Sequence, residues 1–172
     1  MNRRILIIAL LLSLLNHSNS QNLDSSISIF GNYVLNVSIF DSEEENDFMS
    51  TKNATIKFSR PINGSTSSIF CDSVFCRHAI LKREDFNGDG IKDILIFYDY
   101  DVRSNEMYHL YIVDSKNKKL IKVKEFEDVK NPAFNKRKNR IECHVISGTN
   151  YVAFYKINKL NQLISLGSET DE

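Results

Sequence analysis

The chain has 172 residues and carries 22 basic and 22 acidic side chains. The absence of net charge excludes the strongly basic balance that nucleic-acid binding draws on. With three cysteines, four histidines and no G-x-S-x-G elbow, P-loop or zincin pattern, the sequence presents none of the usual catalytic sets.

The first segment, "MNRRILIIALLLSLLNHSNSQ", places Arg3 and Arg4 before an apolar run from Ile5 to Leu15. Ser18 and Ser20 then fall at minus three and minus one if cleavage precedes Gln21, the layout of a secretory signal peptide over residues 1–20. The run is shorter than the roughly 20 residues needed to span a bilayer. No cysteine follows it to carry a lipid, so no membrane anchor is expected. The mature chain, residues 21–172, is one domain's worth of sequence with a single core, exported to the periplasm or the medium.

Beyond the leader, apolar and polar residues alternate in runs such as "SISIFG", "YVLNVSIF", "ATIKFS", "VFCRHAIL", "DILIFYD", "MYHLYIVD", "LIKVKEF", "RIECHVI", "YVAFYKI" and "LISL". Turn-like pieces ("INGSTSS", "NGDG", "DSKNK", "SGTN", "NKLNQ") separate them, and helical periodicity is nearly absent. The fold class predicted is all-β, with antiparallel sheets built from hairpins. The acidic stretch 41–47 reads as a solvated loop and "GSETDE" at 167–172 as a loose tail. The basic stretches 116–119 and 135–140 read as solvated hairpin turns, since strands flank them and no glycine-rich nest accompanies them.

Export makes cysteine pairing the next question. Cys71 and Cys76, in "FCDSVFC", are separated by four residues and are expected to close a small disulfide loop. A bridge from Cys143 to either of them is the competing arrangement. His78, His109 and His144 each fall inside a strand-like run and read as strand residues, and Asp99 and Asp101 as a strand end sharing one face.

The densest chemical signal is "REDFNGDGIKDILIFYD", residues 83–99. Counting from Asp85 as one, Asn87 is three, Asp89 five, Ile91 seven and Asp93 nine, the early donor spacing of an EF-hand-type calcium loop. Gly88 and Gly90 free the backbone to turn, so that four side chains and the Ile91 carbonyl are able to face one centre. An all-oxygen set suits Ca2+, a hard cation, better than zinc, and better than Mg2+, which keeps its waters. Position twelve is Ile96 instead of a bidentate glutamate, and a strand follows instead of a helix, so a structural site is expected and not a helix-loop-helix sensor. The competing reading is a metal-free Asp/Asn/Gly turn.

The segment "DFNGDGIKDILIFYD" resembles the calcium loop and following strand of FG-GAP repeats, the units of integrin-type β-propellers. From about Ile80 to Leu166 the chain resembles small exported bacterial proteins built as an incomplete, vestigial propeller with one such loop. The carriers are "YHLYIVDSKNKKLIKVKEF", "NPAFNKRKNRIECHVISG" and "YVAFYKINKLNQLISL", in that order. The resemblance implies a β-propeller-like fold, bound Ca2+, no enzymatic activity and, for some relatives, inhibition of lysozyme-like glycoside hydrolases as periplasmic immunity proteins. Inhibitors of invertebrate-type lysozyme present a Ser-Gly-x-Tyr loop to the enzyme cleft. The nearest segment here is "SGTNY", which is one residue longer and makes Ser147, Gly148 and Tyr151 the implied partner-binding residues. Plain turn composition at 147–150, with Tyr151 facing the core, is the alternative for this tip. A calcium-dependent adhesion or surface-binding module is the alternative for the whole protein.

Overall fold

The structure, a computed structural model, describes residues 22–40 and 52–170. The leader and the acidic stretch 41–47 lie outside the described residues. Twelve strands follow one another: β1 Leu23–Phe30, β2 Tyr33–Ile39, β3 Ala54–Ile62, β4 Ser65–Val74, β5 Leu81–Glu84, β6 Asp93–Tyr100, β7 Glu106–Asp114, β8 Lys119–Lys122, β9 Pro132–Asn135, β10 Arg140–Val145, β11 Tyr151–Ile157 and β12 Leu163–Thr170. They form three four-stranded antiparallel meanders, β1 to β4, β5 to β8 and β9 to β12, each in chain order. Among the described residues the helical content is one 3-10 turn, Phe126–Asp128.

Side-chain alternation along each strand determines how the meanders stack. In the first sheet Leu35, Val37, Ile39, Ile56 and Phe58 point to one side, where they meet Ile94, Ile96, Tyr111 and Val113 of the middle sheet. From its other side the middle sheet sends Leu95, Phe97, Leu110 and Ile112 against Ile141, Cys143, Ala153 and Ile157 of the third. The middle sheet is therefore buried on both faces. That explains the unbroken apolar run Ile94-Leu95-Ile96-Phe97, since a strand with two cores has no solvent side to carry polar residues.

Three expectations about individual segments need correction. "VFCRHAIL" is not one strand: β4 ends at Val74, β5 starts at Leu81, and the residues between them connect the first sheet to the middle one. The residues 167–170 are not a loose tail, because Gly167 to Thr170 pair with Phe154 to Tyr151 as the end of β12. Cys71 and Cys76 do not form a disulfide, and all three cysteines are free thiols. Their separation of five residues is odd, so extended chain turns the two side chains to opposite faces: Cys71 is exposed while Cys76 is fully buried. Cys143 belongs to the core on the far side of the middle sheet from Cys76. Burial pushes both the Cys76 and the Cys143 thiol up to about 12.

Asparagine side chains tie the connections together at one end of the stack. Asn53 donates to the carbonyls of Phe40 and Cys76, both at 2.8 Å, and accepts the Cys76 N–H at 2.8 Å. Asn131, in the left-handed region at φ 46°, accepts the Glu106 N–H at 2.7 Å and donates to the His144 carbonyl at 2.8 Å. The middle and third sheets are thus fastened by side-chain amides standing in for a strand partner.

Candidate metal loop and the groove beside it

The loop between β5 and β6 winds around its own carboxylates. Asp85 accepts the Gly88 and Asp89 N–H groups on one oxygen, at 2.7 and 3.2 Å, and the Gly90 N–H on the other at 2.8 Å. Asn87 Oδ1 accepts the Asp89 N–H at 3.0 Å, and Asp89 accepts the Ile91 N–H at 2.8 Å. Gly88 and Gly90 supply the left-handed backbone, at φ 76° and 85°, that lets successive N–H groups converge. Asp93, the first residue of β6, is fully buried and accepts the Phe86 N–H at 2.8 Å and the Val113 N–H at 2.9 Å. One carboxylate therefore closes the loop and joins it to β7.

The electrostatics of that carboxylate are unfavourable without a cation. Burial pushes Asp93 up to about 7, with Asp89 and Asp85 adding to the rise and its two amide hydrogen bonds opposing it. Asp85, Asp89 and Asp93 thus share one neighbourhood in which like charges repel. The all-oxygen chemistry of Asp85, Asn87, Asp89 and Asp93 fits a hard divalent ion. Among the described residues no set of three or more His, Cys, Asp or Glu side chains converges as a preformed metal cluster, and the loop oxygens rest on amides.

The loop is held from two sides. Phe86 is buried edge-to-face on Phe126, ring centres 5.7 Å apart. At Gly88 a Cβ would lie 2.6 Å from Asn139 Oδ1 and 3.3 Å from Phe134 Cζ, so the loop seats directly on the β9–β10 hairpin of the third sheet. Next to it opens a groove of about 680 Å³ between the middle and third sheets. Asn87, Asp89, Asn139 and Asn161 stand on its rim, and Ile112, Ile157, Ile164 and Leu166 line it below.

The implied partner tip lies at the opposite end, where residues 146–150 join β10 to β11. The Ser147 N–H donates to Asn150 Oδ1 at 3.0 Å, and the Ser147 hydroxyl donates to the Thr149 carbonyl. Gly148 lies outside the left-handed region with open space around it, so glycine's special freedom is not used there. Tyr151 is half-buried, pairs in register with Val145 and Thr170, and packs against the core. The exposed part of the tip is Ile146 and Gly148 to Asn150.

The remaining polar candidates are engaged in structure. Asp99 is in an ion pair with Arg77, and Asp101 with Lys130 at 2.7 Å. His78 stacks on Phe97. His109 is buried, with Nε2 3.1 Å from the Phe75 carbonyl. Sequence reasoning missed Asn105, Asn131 and Asn139; for Asn131 and Asn139 the available signal was asparagine at strand ends, where it tolerates left-handed turns. No protein-family model, curated protein or solved structure matches the chain.

Proposed function

We propose that the chain is an exported, non-enzymatic calcium-binding protein, propeller-like in the stacking of its meanders, that acts as an inhibitor or immunity protein against a lysozyme-like peptidoglycan hydrolase. The observation that supports it is the Asp85–Asp93 loop, where three mutually repelling carboxylates, one fully buried, are wound by two left-handed glycines. Ca2+ would be held by Asp85, Asn87, Asp89, Asp93 and the Ile91 carbonyl, supplying the positive charge those side chains lack. Asp93 carries that effect to β7 through Val113, and Gly88 carries it to the third sheet through Asn139. The ion's role is therefore architectural. The hydrolase reading rests on the resemblance, with Ser147, Gly148 and Tyr151 as the contact. Because the Tyr151 ring packs on the core, the hydroxyl and backbone of Ser147 to Asn150 are what the tip offers a sugar-binding cleft.

Two measurements on the mature chain test this. Calcium at a hundred times its Kd is expected to stabilise the fold by about 2.7 kcal/mol over chelator, and Asp89→Ala to abolish the shift. The same protein is expected to inhibit a member of a panel of c-, g- and i-type lysozymes or a peptidoglycan hydrolase encoded nearby, less so after Gly148→Val. A melt indifferent to calcium removes the metal reading, and no inhibition removes the hydrolase reading. A calcium-dependent surface-binding module is the second reading, favoured by the groove that opens beside the loop.

A further inference from the structure

The groove of about 680 Å³ beside the Asp85–Asp93 loop has the size of a small-ligand site, and its charged groups are sorted by wall. The middle sheet contributes Asp89 from the loop and Asp114 from the end of β7, whereas the third sheet contributes Lys156 from β11 and Lys159 from the β11–β12 turn. None of the ion pairs among the described residues joins a carboxylate of one wall to a lysine of the other. Two carboxylates and two ammonium groups thus face one space, equal in number and without direct contact. Asn117 donates to Asp114 from its backbone and its side chain, at 2.9 and 2.7 Å, and holds that carboxyl below the usual carboxylate range, so it is ionised at neutral pH. Asp89 accepts the Ile91 N–H on one oxygen and the Asn87 side-chain amide on the other, at 2.8 and 3.0 Å. Each of these oxygens keeps a further lone pair.

The rest of the lining narrows the class of ligand. Ile112 and Ile157 are buried at the base, and Ile164 and Leu166, 42 and 50 % exposed, carry the same aliphatic surface out to solvent. No aromatic ring lines the groove for stacking. Asn139 and Asn161 stand on the rim in left-handed turn conformations, φ 50° and 58°, and neither side-chain amide has a hydrogen-bond partner among the described residues, so each offers a donor and an acceptor. A ligand of one sign would meet one wall and be repelled by the other, and an uncharged apolar one would bury both walls unpaired. A molecule with a positive end, a negative end and aliphatic bulk satisfies all three surfaces.

We propose that this groove binds a short peptide with free termini and aliphatic side chains. Its ammonium end lies against Asp114 and Asp89, its carboxylate end against Lys156 and Lys159, its side chains on Ile164 and Leu166, and its backbone amides exchange hydrogen bonds with Asn139 and Asn161. The assignment does not depend on the hydrolase reading. Nor does it depend on the metal, since Asp114 belongs to β7 and not to the loop.

Titration of the mature chain in chelator with the peptide Leu-Gly-Leu, its N-acetylated form, its C-terminal amide and Ser-Gly-Ser tests the proposal. The free peptide is expected to bind most tightly, with each blocked form weaker by up to about fivefold, the worth of one exposed ion pair. Ser-Gly-Ser should also bind more weakly, because it has no aliphatic side chain to bury. Asp114→Asn should shrink the preference for the free over the acetylated peptide and keep the preference over the amide. Lys156→Ala combined with Lys159→Ala should do the reverse, and Lys57→Ala on the exposed side of β3 should change neither. Thermal melts of all variants confirm that they fold. Blocked peptides that bind as tightly as the free one, a preference unchanged by its matching substitution, equal binding of Ser-Gly-Ser, or no binding at all overturns the assignment.

Discussion

The side chain of Asn105 pairs with the backbone of Ile146 as a neighbouring strand would, donating to its carbonyl at 2.9 Å and accepting its N–H at 2.8 Å. The same buried amide donates to Asp101 and accepts from Asn131, at 2.8 and 2.7 Å, which uses two donors and two lone pairs. Asn105→Ala leaves Ile146 and Asn131 with unmet hydrogen bonds in a buried setting and is expected to cost about 3 kcal/mol. Urea unfolding of the variant measures it. A loss indistinguishable from that of an exposed substitution would show that water replaces the amide.

Gly88 and Gly90 share a left-handed backbone but not the same surroundings. A methyl at Gly88 meets Asn139 and Phe134, whereas at Gly90 nothing lies within 4 Å. Gly90→Ala is expected to cost about 1 kcal/mol from backbone strain alone. Gly88→Ala should cost about 1 to 3 kcal/mol more, from the displaced Asn139 and Phe134. Equal losses would mean that the loop does not bear on the β9–β10 hairpin.

His109 predicts a loss of stability in mild acid. Burial, reinforced by Lys122, holds its pKa below the ordinary 6.5, against the Phe75 carbonyl, Glu127 and Asp72. Its Nδ1 has no hydrogen-bond partner among the described residues. The unfolded chain therefore takes up a proton that the native ring refuses, and stability falls as pH drops through about 6.5. Asp93 acts in the opposite sense in calcium-free buffer: its contribution is present at low pH and lost as pH rises through about 7. Comparing urea midpoints of the wild type and His109→Gln at about pH 5 and about pH 8 isolates the histidine. The variant should lose the acid-side decline while keeping the Asp93 trend.

Thiol labelling checks the cysteine assignment. Under native, non-reducing conditions one thiol, Cys71, is expected to react with a maleimide, and all three in denaturant. Mass mapping that finds a Cys71–Cys76 bridge would overturn the free-thiol state.

The all-β class was legible because β2, β3 and β10 alternate plainly. The loop between β5 and β6 was legible because Asp85, Asn87, Asp89 and Asp93 are local in sequence. Three kinds of feature were hidden. Ser65 to Ser68 read as a turn because it is small and polar, yet it pairs with Ile62 to Ser59 in the first sheet. β9 was concealed by Pro132, which is accommodated because β9 is an edge strand. The groove beside the loop joins residues from three separate turns and the end of β7, and no local window contains it. The expected disulfide failed because spacing measures loop length, while the strand's two-residue period decides which way a thiol points.

The two-faced burial of the middle sheet has a consequence for biosynthesis. β1 to β4 are translated first, and they present Leu35, Val37, Ile56 and Phe58 before the strands that cover them, β6 and β7, exist. The early product is a sheet with an adhesive side, and the middle meander, when it emerges, has two such sides and only one neighbour. A break in the connection Phe75–Ile80 would leave two fragments, each with an uncovered apolar face, and neither could be a smaller working protein. The chain gains its solubility only when its last strands are in place.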